Sequence, residues 1–160
     1  QLSGLDYITF RLANMYGPRN VSGPLPTFYQ RLSTGKPCFV MDTRRDFVFV
    51  ADTIDVVEMA LDGKGETGTY HLSSGKDYSI QELFDATVAA MDISLDEPVE
   101  VRPRGEDDAY SILLDPSKTD RDFGWAPSTP LESGVLQAVD WYRDNGISRT
   151  FTHLKQAEPE

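Results

Sequence analysis

The sequence predicts an α/β fold. Three observations carry this. Two runs, 5–12 (LDYITFRL) and 46–50 (DFVFV), are rich in β-branched and aromatic residues. Apolar stripes at helical spacing follow such runs, and capping signals stand where the stripes begin. Strands alternating with capped helices are the pattern of an α/β sheet protein.

The first strand is expected over Leu5 to Leu12, buried, and bounded by Gly4 and a Tyr16-Gly17-Pro18 turn. A loop follows from Asn20 to Pro24. Pro26 suits the first position of a helix whose stripe is Phe28, Tyr29 and Leu32, with Gly35 as its stop. Cys38 to Met41 reads as a short strand and Asp46 to Val50 as a second strong one. Leu5–Leu12 and Asp46–Val50 are expected as central strands of a parallel sheet that needs further strands. Asp52 reads as a helix N-cap with Asp55 three residues on, ahead of a buried stripe of Val56, Val57, Ala60 and Leu61.

Gly68 to Leu72 is a further strand. Ser79-Ile80-Gln81-Glu82 is a capping box, with Tyr78 and Leu83 at the flanking apolar positions that staple a helix start. Ile80, Leu83, Phe84, Val88 and Met91 follow at helical spacing. Val99 to Arg102 is extended, and Asp115-Pro116 caps a short helix ending near Gly124. Thr129-Pro130-Leu131-Glu132 reads as a second capping box with Pro at the first helical position. Leu131, Val135, Ala138, Val139 and Tyr142 form the apolar face of that helix, and Gly146 closes it. The polar tail after Lys155 is expected to fray, which sets the domain at 1–155 and the tail at 156–160.

Composition narrows the function classes. The 160 residues fit one domain, and 39% hydrophobic with 26% charged residues excludes a disordered tail. Fifteen Lys and Arg against 26 Asp and Glu leave a net charge of −11. Such a chain repels phosphate backbones and anionic bilayers, so neither nucleic acid nor a membrane is an expected partner. An anionic ligand must then be held by a local cluster of Arg. One cysteine, Cys38, excludes an internal disulfide framework and a Cys-rich zinc site, and fits a reducing, cytoplasmic setting. With only two histidines, no metal centre is expected. Gln1-Leu2-Ser3-Gly4 carries neither Met nor the features of a signal peptide, which is expected of a chain that begins inside a larger protein.

Four local patterns are candidates for chemistry. In RLANMYGPR (11–19) a strand ends and turns, which puts Asn14 where ligands bind in open parallel sheets; the alternative is an Asn that stabilises the turn. In RRDFVFVAD (44–52), Arg44 and Arg45 stand where a buried strand begins. A guanidinium matches a diphosphate in shape and charge, or else pairs with Asp42 or Asp46. Arg102 and Arg104 lie on an acidic loop that is either a binding element or a self-neutralising surface. Trp141, Tyr142 and Phe151 near the C-terminus read as packing. His71 and His153 show no acid or nucleophile partner, and Cys38 reads as a small buried hydrophobe.

Taken together, the order of these patterns resembles the carboxyl-terminal half of the extended short-chain dehydrogenase/reductase family, in its NAD-dependent nucleotide-sugar epimerase/dehydratase branch. RLANMYGPR resembles the R-x-x-N-x-Y-G-P turn, and RRDFVFVAD the R-D-[FYW]-x-x-V-x-D segment. GTYHLSSGKDYSIQEL resembles the G-x-Y-N-[IV]-[GS]-x-G stretch. RPRGEDDAYSILLDPSKTDRDFGWAP resembles the R-P-G-[DE] loop with D-x-[ST]-K and L-G-W-x-P, and LESGVLQAVDWYRDNG the last helix. VSGPLPTFYQRLSTGK and ISRTFTHLK look like a subgroup associated with surface-polysaccharide sugars.

The resemblance implies a carboxyl-terminal substrate-binding lobe plus strands completing a Rossmann-type parallel sheet. It implies that Asn14 contacts the diphosphate or sugar of a nucleotide-sugar, and that Arg45 and Arg102 bind the diphosphate. Arg104 is a second candidate for the Arg102 role, because RPRG holds one residue more than R-P-G. Leu12 would lie near the nicotinamide of NAD. The family's G-x-x-G-x-x-G loop and Y-x-x-x-K pair do not occur in this chain, so no catalytic residue is assigned in it. NAD would be bound mainly by an amino-terminal half, which is an expected partner, with a homodimer when intact. The chain alone is then expected to bind nucleotide-sugar weakly and to be inactive. The alternative is a non-catalytic nucleotide-sugar-binding or interaction module.

Overall fold

The computed structural model describes residues 4, 6–147 and 150. The described part is mixed α/β, as the sequence predicts. Strand β1 (Ile8–Leu12) pairs in parallel with β5 (Gly68–Leu72), residue for residue from Ile8 opposite Gly68 to Leu12 opposite Leu72. At Ala13, whose amide donates to Leu72 O at 2.9 Å, the chain changes partner. It continues as β2 (Asn14–Tyr16), parallel to the end of β4 (Arg44–Phe49).

The residues between Leu12 and the expected Tyr16-Gly17-Pro18 turn are therefore a second strand, and the chain turns at Gly17 as expected. Strand β1 is also less buried than expected: Leu12 is 46% exposed. Among the described residues its ladder runs to β5 alone. One of its two edges is thus without a strand partner there, and edge residues keep more solvent contact.

The start of β4 is flanked twice. β6 (Asp77–Ser79) pairs with it antiparallel and β8 (Ser111–Ile112) parallel. A separate parallel pair joins β3 (Phe39–Met41) to β7 (Glu100–Arg102). Side chains alternate along β4 and so serve two cores. Phe47 and Phe49 enter the larger core with Tyr16, Phe28, Phe84, Val135 and Tyr142. Val48 enters a smaller one with Val56, Tyr70, Leu72, Phe123 and Trp125.

Among the described residues, five helices cover these strands. Helix α1 (Pro24–Ser33) begins two residues earlier than expected, with Pro24 rather than Pro26 at its first position. Helix α3 (Ile80–Met91) has the predicted capping box: Ser79 Oγ accepts from Glu82 N, and Glu82 accepts from Ser79 N at 2.7 Å. Helix α4 (Ser117–Phe123) follows Asp115, whose Oδ1 accepts from Ser117 N at 2.9 Å. Helix α5 (Leu131–Asn145) buries Leu131, Val135, Ala138, Val139 and Tyr142, the five residues of the predicted stripe.

Helix α2 (Val50–Leu61) departs from expectation. Asp52 is not its N-cap but lies in the first turn, 4% exposed. Its carboxylate accepts from Ser128 Oγ, Thr129 N and Thr129 Oγ1 at 3.0–3.1 Å, and its carbonyl accepts from Trp125 Nε1 at 2.9 Å. This bonding turns Asp52, Thr53 and Val56 inward and leaves Leu61 82% exposed. It also takes the Thr129 hydroxyl, so α5 starts from Pro130 without a side-chain cap, and the second capping box does not form. His153 and the tail after Lys155 lie outside the described residues. Among those described, no helix is long and apolar enough to cross a membrane.

Candidate functional site

The site forms where β2, β4, α1 and β3 converge on a cavity of about 120 Å³. That is room for several waters, since one needs ~10–15 Å³. Asn14 and Arg45 both line it, together with Thr27, Cys38, Phe39 and Asp108. The two residues come together because β2 and β4 are parallel neighbours, with Asn14 opposite Phe47.

Asn14 Nδ2 donates to Asp46 O at 3.0 Å, which fixes the amide and leaves its carbonyl oxygen available. Arg45 is the more buried cation, its side chain only 16% exposed. Its Nη1 donates to the carbonyls of Arg44 and Ala109 at 2.7 and 3.0 Å, and its Nη2 lies 2.7 Å from Asp108 Oδ1. The partner is therefore neither Asp42 nor Asp46.

Arg44, the adjacent guanidinium, faces Asp77 and Glu82 at 3.2 and 3.4 Å. The Ser111 hydroxyl and then Arg44 hold the Asp77 carboxyl below its usual range. The Ser79 amide and hydroxyl do the same for Glu82.

Arg102 does not line the cavity but stacks on one of its walls. Its guanidinium carbon is 3.8 Å from the centroid of the Phe39 ring. Its Nε and Nη2 each donate to Glu100 at 2.8 Å, a bidentate pair on the exposed face of β7. Arg104 Nη1 donates to Asp108 O at 2.8 Å and so braces the loop that bears Asp108. The self-neutralising reading of this loop thus holds in part: a carboxylate sits on Arg102, whereas Arg104 donates to a main-chain carbonyl. Leu12 is apart from the cavity, exposed at the carboxyl end of β1.

Sequence reasoning missed three contributors. Phe39 supplies the aromatic wall, and Asp108 the anion on Arg45. Asp46 is a 1% exposed carboxylate that accepts from Ser73 Oγ, Ser74 N and Ser74 Oγ at 2.5–2.9 Å, and from Leu114 N at 3.3 Å. It ties β4 to the β5–β6 turn and to the loop after β8. The sequence marked it as the Asp of the R-D motif and as a possible partner of the arginines, but not as the acceptor of these four bonds. Cys38 is half-buried against the cavity. Burial pushes its thiol up, and the Arg31 guanidinium opposes that. His71 makes a structural contact, Nδ1 to Asp115 O at 3.3 Å.

Residues 1–138 match the sequence model of a family described as GDP-mannose 4,6 dehydratase. The chain belongs to the GDP-mannose 4,6-dehydratase family. Among solved structures it is similar to the Bordetella bronchiseptica enzyme WbmH in complex with NAD⁺. The two are 55% identical with a TM-score of 0.85, over 91% of this chain and 48% of that one. The B. bronchiseptica enzyme WbmG, solved with NAD and UDP, is 38% identical with a TM-score of 0.85, over 98% and 50%. A putative UDP-glucose 4-epimerase of Methanocaldococcus jannaschii is 30% identical over 152 residues, 91% of this chain and 48% of that protein. The chain spans about half the length of the curated relatives it matches. The family match and these relatives bear out the resemblance drawn from the motifs, and the Rossmann-type class with it.

Proposed function

We propose that this chain is the substrate-binding portion of an NAD-dependent nucleotide-sugar epimerase or dehydratase. The observation that carries the reading is the shared cavity of Asn14 and Arg45, with Arg102 stacked on its Phe39 wall. Two to three guanidinium groups around one cavity can hold a diphosphate against the molecule's net negative field. The WbmG complex with UDP supports a nucleoside diphosphate as the anchoring group.

In this reading Arg45 holds the diphosphate at the cavity floor. Arg102 or Arg104 approaches it from the rim, and Asn14 orients the adjoining phosphate or sugar hydroxyl. Fixing the diphosphate fixes the sugar, and such positioning can lower a barrier by several kcal/mol.

NAD supplies the hydride acceptor when bound. Leu12 fits the apolar contact a nicotinamide ring takes, since it is exposed at the carboxyl end of a parallel strand, where ligands of such sheets lie. This chain has no glycine-rich phosphate loop. The reading therefore includes an amino-terminal half as partner, seated along the open edge of β1, and a homodimer of the joined protein. Alone, the chain binds nucleotide-sugar weakly and does not convert it.

Calorimetric titration with UDP tests the reading. Arg45→Ala and Arg102→Ala should each weaken binding by about tenfold, the worth of one charge-assisted hydrogen bond. Unchanged affinity in both variants removes the diphosphate assignment.

A further inference from the structure

We propose that Asp108 is a specificity-determining residue, an internal anion on the Arg45 guanidinium that a phosphate must displace to enter the cavity. The inference rests on the diphosphate reading above.

Asp108 lines the cavity, and its Oδ1 lies 2.7 Å from Arg45 Nη2. The two partners are unequally held. The Arg45 side chain is 16% exposed, whereas that of Asp108 is 43% exposed. Arg45 Nη1 is also anchored to the carbonyls of Arg44 and Ala109. The guanidinium is therefore fixed, and the carboxylate is the group able to leave.

Its departure disturbs little. The loop around Asp108 is held through the Asp108 main chain: Asp108 N donates to Gly105 O at 3.1 Å, and the Arg104 side chain donates from Nη1 to Asp108 O at 2.8 Å. Neither involves the Asp108 carboxylate. A rotation about its side-chain bonds moves the carboxylate into water while the loop stays closed.

The contact has two consequences. It neutralises a mostly buried cation while the cavity holds no ligand, which avoids an uncompensated charge. It also weakens every ligand that uses Arg45 by the free energy of the displaced ion pair. A ligand bringing phosphate charge can displace the carboxylate. A ligand without charge cannot, and makes no use of Arg45. Asp108 thus sets a charge threshold, a repulsive element in the selection of ligands.

The test is titration of the parent chain, Asp108→Asn, Asp108→Ser and Asp107→Asn with UDP and with uridine. Asp107→Asn removes the same charge from an exposed neighbour and so measures the general field. Both Asp108 variants should bind UDP ~3- to 10-fold more tightly than Asp107→Asn, the range of a partly exposed ion pair. Uridine affinity should stay equal across all four proteins, so the UDP-to-uridine ratio rises. A merely structural role would move both ligands together. Asp108 variants that bind UDP no more tightly than Asp107→Asn overturn the inference and leave the diphosphate reading standing. If no protein of the set binds UDP, the diphosphate reading fails and this inference falls with it.

Discussion

Gly134 of α5 lies against Tyr16 at the end of β2. A β-carbon at 134 would stand 2.4 Å from Tyr16 Oη and 2.8 Å from a ring carbon of Phe49. The helix can approach the sheet only because position 134 has no side chain. Tyr16 is fixed there by burial, which also drives its phenol pKa far upward.

Gly134→Ala should therefore destabilise the protein, although alanine is the better helix former by ~1 kcal/mol. Overpacking of a filled core costs about 1–3 kcal/mol. For a domain of this size that lowers Tm by several degrees. Thermal unfolding followed by circular dichroism checks it, and an unchanged or raised Tm would contradict the close contact.

Asp46 is the second sensitive position. Asp46→Ala strands the Ser74 and Leu114 amides around a buried carboxylate site, while the Ser73 and Ser74 hydroxyls keep Leu114 O and Lys76 O as acceptors. A buried donor without a partner costs about 1–3 kcal/mol. With two stranded at once, a loss of about 3 kcal/mol is expected in urea unfolding. Hydrogen exchange should quicken first at Leu114 and Ser74. Exchange that quickens evenly along the chain would argue against this local tie.

Acid should remove stability through the carboxylates facing Arg44. Hydrogen bonds to Ser111 and Ser79, and then Arg44 itself, hold Asp77 and Glu82 below their usual values in the folded chain. The folded state therefore binds fewer protons than the unfolded state as these groups titrate. Their contribution is fully present above the unfolded values of ~3.9–4.3, and is lost as pH falls through the lower folded ones. Tm measured from pH 7 down to pH 2.5 should fall in that acid window. Asp77→Asn should have a lower Tm than the parent at neutral pH and approach it at the acid end. A parent–variant difference that stays constant with pH would refute the assignment.

Several elements were legible in the sequence because their causes are local. The Ser79–Glu82 capping box spans four residues, and the apolar stripe of α5 repeats every three or four, so neither needs a distant partner to be recognised. Asp52 and Thr129 show the limit. Each carries the chemistry of an N-cap, but the two bond to each other across 77 positions, and that tertiary bond withdrew both from capping. The change of partner at Ala13 was equally hidden, since an extended segment reads the same whether it pairs with β5 or with β4.

The candidate site divides along the same line. By itself the sequence determined which groups are chemically able to hold an anion: Asn14, Arg45, Arg102 and Arg104 stand out in an acidic chain by residue type and motif. Only the tertiary structure decided which of them share a cavity, and which carboxylates already occupy them. Asp108 reaches Arg45 from 63 residues away. Helix caps and periodicities are settled by neighbours within one turn of chain. A charge's partner is settled by which loops the folded core brings within 3 Å, and no local pattern records that distance.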